Sequence, residues 1–323
     1  MKPARRNFLN VAAGAATLSA LPRFVWALDY PTRPVHIVVG FAAGINPDII
    51  ARLFGQALSQ RLGQQFIIDD RPGAASNIGT EVVVRAPPDG YTLLAVTSTN
   101  AVNAALYSDL SFNFIRDIAP VAGTVRLPDV LAVTPSFPVK TVLELVDYAK
   151  ANPGKVTVAS NGTGSTSHVM GELFKSMTGI DMLHVPYRGS YVPDLLAGLV
   201  QVVFSPTAQS IPFIRDGRLR ALAVTSTTRS QALPEIPAIA EYVPGYEAYV
   251  WDGIGAPNNT SAEITYKLNK AINISLADDE MKARLAGLGA EPMMMTPAEF
   301  GKFIADETEK WAKVIKFAGI KPD

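Results

Sequence analysis

The segment 161–168, which reads Asn-Gly-Thr-Gly-Ser-Thr-Ser-His, holds the residues of this chain best suited to binding chemistry. A β-branched run at 155–160 precedes it and apolar residues at helical spacing follow it, so we predict a buried strand that turns into a helix. Serine and threonine cap helix starts, and the free N–H groups and the helix dipole there favour a carboxylate or a phosphate. A capped helix behind a flexible turn is the alternative explanation, and it needs no ligand.

Other motifs known for site chemistry do not match the spacing. Ser167 stands where a dinucleotide fingerprint needs its third glycine, no Gly-Lys-Ser/Thr follows as in a P-loop, and there is no Gly-x-Ser-x-Gly elbow. The three histidines are scattered without metal-ligand spacing, and the lack of cysteine excludes thiolate sites and disulfides. The histidine spacing and the lack of cysteine therefore give no reason to expect a metal site.

The composition is that of a folded protein with a large core. The chain has 323 residues, of which 48% are hydrophobic and 18% charged, which is enough for two domains and not typical of disorder. The formal net charge is zero, but residues 1–27 hold four basic residues and no acid, which leaves 25 basic against 29 acidic residues in the remainder. This small acidic excess gives no reason to expect nucleic acid as a partner.

Residues 1–27 are predicted to be a targeting segment. Residues 5–9, Arg-Arg-Asn-Phe-Leu, match a twin-arginine export motif, and a weakly apolar stretch covers 8–21. The sequence Val-Trp-Ala at 25–27 suits a signal peptidase, so we expect cleavage near Ala27 and a mature protein in the periplasm. The stretch is too short to span a bilayer comfortably, and an amphipathic N-terminal helix is the alternative.

Strands and helices alternate through the rest of the chain, which predicts an α/β fold with mostly parallel sheets flanked by helices. Strands are expected at 34–40, 65–69, 91–96, 130–134, 155–160, 182–186, 201–204, 220–225 and 291–295. The pattern restarts near residue 128, so we predict two lobes, one formed by 28–127 with 247–323 and the other by 128–246. Polar loops follow the strands of both lobes, at the edge where such sheets bind ligands.

Ordered landmarks along the chain resemble those of the Bug-type solute receptors of tripartite tricarboxylate transporters. They lie at 38–48, 71–79, 88–94, 159–168, 184–189, 219–225 and 288–292, so the similarity runs from about residue 30 to the end. The resemblance implies a two-lobed periplasmic binding protein of type II that holds a small carboxylate between its lobes. It also implies no catalysis, no cofactor and a partnership with the membrane subunits of the transporter. We expect the protein to be a monomer.

The predicted ligand-binding residues follow the strand ends of both lobes. They are Phe41, Ala43, Gly44, Ile45, Asn77, Thr97 and Ser98 in the first lobe, and Ser160, Asn161, Gly164, Ser165, Thr166, His168, Arg188, Gly189, Ser205 and Thr207 in the second. The resemblance implies that one carboxylate is held by 160–168 and that the first lobe is reached partly through ordered waters on the loop 41–45.

Some of these side chains have two possible roles. His168 is expected to contact the ligand or to brace its loop rather than to pack in the core, whereas His36 and His184 are expected to be structural. Arg188 is expected either to pair with a second carboxylate or to be a solvated surface residue. Trp251 is expected to pack in the core at the lobe junction rather than against an aromatic ligand.

Two departures from the family pattern bear on the ligand. The family motif Pro-Phe-Pro-Pro-Gly-Gly is replaced at 40–45 by Gly-Phe-Ala-Ala-Gly-Ile. The branched side chain of Ile45 narrows the approach to that loop. Ser205 stands where relatives often carry aspartate, which disfavours a ligand with an ammonium group. We therefore expect a small organic acid with one or two carboxylates and no amine, aliphatic or aromatic.

Two other functional classes remain open. An exported serine hydrolase would use Ser165 and His168, although neither an elbow nor a carboxylate partner placed by sequence supports it. A ligand sensor for a signalling partner would share the two-lobed shape. The export signal and the lack of a basic helix-turn-helix segment count against a regulator of transcription.

Overall fold

The structure, a computed structural model, describes residues 29–322, so the twin-arginine motif and the predicted cleavage near Ala27 lie outside the described residues. From Pro31 onward the chain forms one compact unit. The strands of this part are β1 (Val35–Val39), β2 (Phe66–Asp70), β3 (Thr92–Thr97), β4 (Ile118–Val133), β5 (Thr157–Ser160), β6 (Leu183–Pro186), β7 (Val202–Pro206), β8 (Arg220–Val224), β9 (Tyr249–Pro257) and β10 (Glu291–Pro292).

Helices connect and flank these strands. They are α1 (Asn46–Leu62), α2 (Asn77–Val84), α3 (Ser98–Leu106), α4 (Phe114–Asp117), α5 (Val142–Ala151), α6 (Thr166–Thr178), α7 (Val192–Ala197), α8 (Thr207–Arg215), α9 (Ala262–Ala277), α10 (Asp279–Gly287) and α11 (Pro297–Ala318). Apolar residues at helical spacing and capping residues are the sequence features that favour such helices.

The strands form one mixed sheet in the order β2-β1-β3-β9-β4-β7-β5-β6, with β8 and β10 also paired to β4. β1 is parallel to β2 and β3, and β5 is parallel to β6 and β7. The predicted α/β class is confirmed. The sheet is mixed rather than mostly parallel, because β9, which brings the chain back from the second parallel group, runs against both β3 and β4.

The long strand β4 joins the two parallel groups. Its residues 118–128 pair with β9, and its residues 129–133 pair with β7, with β8 alongside from residue 130. We call β1, β2, β3, β9, β10 and residues 118–128 the first half-sheet, and residues 129–133 with β5 to β8 the second half-sheet. The predicted division into lobes 28–127 with 247–323 and 128–246 stays a prediction.

β9 and most of β4 are missing from the strands expected from the sequence. β4 contains two prolines and Gly123, which predict turns, and it accommodates them through register shifts between Pro120 and Ala122 and between Gly123 and Val125. In β9, Gly253 is required by packing, since a Cβ there would lie 2.2 Å from Cζ of Phe300. Tertiary packing, not local propensity, forms these strands.

Helix α11 packs against both α3 and α6, which follow strands of the first and second half-sheets. Trp251 of β9 is fully buried beneath it, and its Nε1 donates to Oε2 of Glu307 (3.1 Å), which also accepts from Nε1 of Trp311 (3.1 Å). Trp251 therefore packs in the core as predicted and offers no surface to a ligand.

Candidate functional site

Strand β5 ends at Ser160 and leads through two glycines into α6, as the sequence predicts. We call residues 160–168 the second loop. Gly162 and Gly164 have φ angles of 111° and 75°, which residues with a side chain rarely adopt. Ser165 is the N-cap of α6: its Oγ accepts from the His168 N–H (3.4 Å) and donates to the Gly162 carbonyl (2.7 Å).

Three backbone N–H groups of the second loop remain available to a ligand. Those of Thr163, Thr166 and Ser167 have no hydrogen-bond partner within the part of the chain that the structure describes. Thr166 and Ser167 are the first residues of α6, whose N–H groups have no acceptor inside the helix. Together with the helix dipole, these groups form an uncharged surface suited to an anion.

Two histidines brace the second loop. Nδ1 of His168 accepts the Gly164 N–H (3.0 Å), and Nε2 of His184 lies 2.6 Å from Oγ of Ser160. The two imidazole rings stack with their centroids 3.6 Å apart and 7° between their planes. Burial, with smaller contributions from His184 and Lys175, lowers the pKa of His168 to about 3. The His168 ring is therefore neutral at neutral pH and keeps the Nδ1 lone pair that the Gly164 N–H requires.

His168 thus braces the loop through the Gly164 N–H. His184, predicted to be structural only, also supports the site, because Ser160 connects it to the loop. Oγ of Ser160 accepts the Gly162 N–H (3.2 Å) while it contacts the His184 ring. The exposed Asn161 lies between these contacts, and its N–H donates to Oγ of Ser167 (3.1 Å).

We call residues 41–45, which connect β1 to α1, the first loop. The Gly44 N–H donates to Oδ2 of Asp48 (2.7 Å), and Oδ1 of Asp48 pairs with Nε of Arg52 (2.7 Å). Arg52 also pairs with Asp70 at the end of β2 (2.9 Å). Burial raises the pKa of Asp48, but the hydrogen bonds from Arg52 and Gly44 outweigh it and hold that pKa below its ordinary value. Asp48 is therefore a buried anion behind the first loop.

Asn46 does not cap α1, although asparagine before a proline is typical of a helix start. It is the first residue of the helix, Ile45 occupies the N-cap position, and that position makes no side-chain cap hydrogen bond within the described residues. Nδ2 of Asn46 donates instead to Oδ2 of Asp252 in β9 (3.1 Å). The Asp252 carboxyl is buried and needs hydrogen-bond donors, and the Asn46 amide supplies one from far along the chain.

Each half-sheet contains one buried carboxyl that the sequence analysis does not single out. Asp252 lies in the first half-sheet and Asp129 in the second, and both are almost fully buried. Oδ1 of each has no hydrogen-bond partner among residues 29–322. Burial raises the pKa of both carboxyls to about 7, although the bond from Asn46 opposes this shift at Asp252.

The predicted first-lobe residues divide between exposed and buried positions. Those on the first loop are the half-buried Phe41 and the exposed Ala43, Gly44 and Ile45. Thr97 and Ser98 are buried at the start of α3, and Oγ of Ser98 has no hydrogen-bond partner in the described part of the chain. Asn77 is buried and its Oδ1 accepts from Nδ2 of Asn103 (3.0 Å), so it holds the neighbouring turn in place.

Ser205 and Thr207 lie where β7 ends and α8 begins, and both are buried. Oγ of Ser205 accepts from the Tyr191 hydroxyl (2.8 Å), and Oγ1 of Thr207 donates to the Pro128 carbonyl (2.6 Å). The hydroxyls of both residues are therefore used inside the fold, which leaves them less able to serve a ligand than those of the second loop.

Arg188 and Gly189 are exposed just beyond β6. The preceding Tyr187 N–H donates to the Ser160 carbonyl (3.0 Å), and a Cβ on Gly162 would lie 3.7 Å from the Tyr187 carbonyl oxygen. Arg188 therefore starts beside the second loop, on the same half-sheet as the free N–H groups.

The sequence model of the tripartite tricarboxylate transporter family receptor matches residues 50–320. Protein BugT of Bordetella pertussis is 36% identical over 319 residues, which cover 97% of this chain and 96% of BugT. The chain belongs to this receptor family. The resemblance to Bug-type receptors is thereby confirmed, and receptors of this family are periplasmic.

Solved structures of similar proteins share the receptor's fold. R. palustris Rpa4515 with adipate is 38% identical with a TM-score of 0.80, and the match covers 91% of this chain and 100% of that chain. The periplasmic binding protein BugD is 32% identical with a TM-score of 0.75, again over 91% and 100% of the two chains.

The second loop does not have the geometry of a hydrolase site. Nδ1 of His168 is occupied by the Gly164 N–H, and its Nε2 faces Oε1 of Glu172 at 3.8 Å. Within the described residues, no hydrogen bond joins Oγ of Ser165 to the His168 ring, so no nucleophile–base pair is formed there.

Residues 29–322 contain no cluster of three or more His, Cys, Asp or Glu that could hold a metal ion. The described helices include none long and apolar enough to cross a membrane.

Proposed function

We propose that the receptor captures a small organic carboxylate and holds its carboxylate group at the second loop. The observation that carries this proposal is the set of N–H groups of Thr163, Thr166 and Ser167 around the start of α6, which have no hydrogen-bond partner among residues 29–322. Fixed N–H donors and a helix dipole stabilise a desolvated carboxylate, whereas they offer little to an ammonium group. The adipate of the similar protein Rpa4515 supports a carboxylic acid as the ligand class.

We further propose that the receptor works in the periplasm, delivers its ligand to the membrane subunits of a tripartite transporter and catalyses no reaction.

Export by the twin-arginine route follows from the Arg-Arg-Asn-Phe-Leu motif at 5–9. Replacement of Arg5 and Arg6 by lysine should leave the precursor in the cytoplasm. Maturation of the doubly substituted protein would instead assign export to the general secretory route.

The carboxylate site can be tested by removing one N–H group with Thr166→Pro. Proline is well tolerated at the first position of a helix, and Ser165 already has the extended conformation (φ −65°, ψ 160°) that a residue before proline adopts. A hydrogen bond to a charged group contributes about 1.5–3 kcal/mol, so calorimetry should show at least about a tenfold loss of carboxylate affinity. Thr166→Val, which keeps the N–H, should lose less.

The matched control is Ala262→Pro at the first position of α9. Ala262 is exposed, and its N-cap Ser261 is extended (φ −59°, ψ 143°) and accepts from the third N–H of its helix, as Ser165 does. This variant should keep full affinity. Equal affinity of both proline variants and the wild type would show that the carboxylate binds elsewhere. Mass spectrometry of the same samples would reveal any turnover, which the receptor should not show and a hydrolase would.

A further inference from the structure

The first loop offers a ligand an apolar surface. It reads Phe-Ala-Ala-Gly-Ile, and the side chain of Ile45 is 45% exposed. A Cβ on Gly44 would meet nothing within 4 Å, so open space adjoins the loop. Ile49, one turn further along α1, is 40% exposed. Removing exposed branched side chains from water favours contact with an apolar group.

The charged side chains next to the first loop are unsuited to a second carboxylate. Asp48 and Asp70 are both acidic, and the one arginine between them, Arg52, already pairs with each through separate nitrogens. Arg71, in the turn after β2, pairs with Asp69 (3.0 Å). A carboxylate brought to this side would meet buried negative charge and arginines that are already paired.

Of the helix starts at the first and second loops, the one that can attract an anion without an acid beside it belongs to the second half-sheet, because α6 has no acidic residue in its first turn, whereas α1 has Asp48 there. The free N–H groups stand at the start of α6, and Arg188 begins beside them because Tyr187 is hydrogen-bonded to Ser160. His168 is neutral, so it adds no charge of its own, but it fixes the Gly164 peptide next to these donors. The backbone of Arg188 therefore lies beside the same helix start.

We propose that the ligand carries one carboxylate, held by the second loop, and an uncharged, largely apolar tail that lies against the first loop. This assignment rests on the proposed function, because it orients the same bound acid. It selects monocarboxylates with an aliphatic or aromatic tail over dicarboxylates of equal length.

Calorimetry with matched acids tests this orientation. Hexanoate and adipate form one pair, and benzoate and terephthalate the other, so that each pair differs by one carboxylate. In at least one pair the monocarboxylate should bind at least tenfold more tightly than the diacid. A diacid that binds as tightly or more tightly in both pairs overturns the inference and leaves the proposed function intact. Binding of none of the four acids contradicts the proposed function, and the inference falls with it.

A charge placed on the first loop should reverse the preference. Ile45→Lys should raise the affinity for the diacid at least tenfold and weaken that for the monocarboxylate. The control is Ile115→Lys on α4, where the side chain is equally exposed at 46%, and it should leave both affinities unchanged. If Ile45→Lys shifts both acids by the same factor, the tail does not lie against the first loop.

Arg188→Gln separates the two possible roles of this arginine. Under the proposal it weakens the monocarboxylate and the diacid by the same factor, because both present the same carboxylate to the second loop. A loss confined to the diacid would assign Arg188 to a second carboxylate and overturn the inference.

Discussion

The first and second loops share one hydrogen-bond pattern but differ in the side chain that accepts the bond. In each, a glycine with a positive φ (84° at Gly44, 75° at Gly164) donates its N–H to the side chain four residues later. The acceptor is a carboxylate in the first loop, Asp48 at 2.7 Å, and an imidazole in the second, His168 at 3.0 Å. Both glycines lie between a strand and a helix, so the backbone geometry of the two sites is closely related.

The neighbouring parallel strand reinforces each acceptor in its own way. β2 supplies Asp70, which shares Arg52 with Asp48, and β6 supplies His184, which stacks on His168. The first loop therefore has anions behind it, whereas the second is braced by neutral rings. Neutral bracing leaves the positive end of the α6 dipole uncompensated, and this difference makes the second loop the better carboxylate site.

The largest effect is expected from the buried carboxyls of the two half-sheets. Burial raises the pKa of Asp129 to about 7, so the stability contributed by its neutral form is complete below about pH 3.8 and is lost as the pH rises through about 7. Asp129→Asn should raise the free energy of unfolding at pH 8 by up to about 4 kcal/mol and change it little at pH 4. Asp252→Asn should gain about as much, because the pKa of Asp252 is also about 7 with the hydrogen bond from Asn46 in place.

Urea denaturation at pH 4 and pH 8 measures both variants. A gain at Asp129 that is equal at the two pH values would show that ionisation is not its cause. Clearly unequal gains at the two positions would contradict the equal pKa shifts of the two carboxyls.

The next effect is expected at the two glycines. Both are left-handed, so alanine introduces strain of about 1–2 kcal/mol at either position. A Cβ on Gly164 would in addition lie 2.5 Å from Cδ2 of Leu106 at the end of α3, whereas one on Gly44 meets open space. Gly164→Ala should therefore lower the free energy of unfolding by about 1 kcal/mol or more beyond Gly44→Ala. Equal losses in thermal denaturation would show that Leu106 moves aside without cost.

The imidazole acceptor makes the second loop sensitive to acid. Burial lowers the folded pKa of His168 to about 3 from about 6.5, so its contribution is complete above about pH 6.5 and is lost as the pH falls toward 3. His168→Leu leaves the Gly164 N–H without an acceptor and should lower stability at pH 7 by about 1–3 kcal/mol. The variant should also lose this acid dependence, whereas His36→Leu, at an exposed position in β1, should retain it.

The local form of the second loop is predictable from the sequence, but its bracing is not. Strand, glycines and N-cap follow one another in the chain, so ordinary propensities place Ser165 correctly. His184 reaches Ser160 from 24 residues away, only because β6 pairs in parallel with β5. Asn46 shows the opposite failure: its local chemistry predicts a cap, and a carboxyl 206 residues away takes its amide instead.

The smallest effect is expected in the turn at residues 74–76, beside the first loop. This turn and the second loop differ in the residues that they use at left-handed backbone positions. The second loop uses glycines, but residues 74–76 are Ala, Ala and Ser with φ angles of 45°, 49° and 75°. A residue with a side chain at such a φ is disfavoured by about 1–2 kcal/mol, so glycine there relieves strain in the folded protein. Glycine also makes the unfolded chain more flexible, which offsets about 0.4–1 kcal/mol of that gain. Ala75→Gly should therefore stabilise the receptor by about 0.5–1 kcal/mol in urea denaturation. Ala283→Gly, at an exposed position inside α10, should destabilise it by about 1 kcal/mol, because helical backbone disfavours glycine. Losses at both positions would show that hydrogen bonds such as that from Nδ2 of Asn103 to the Ala75 carbonyl (2.6 Å) hold the turn without strain.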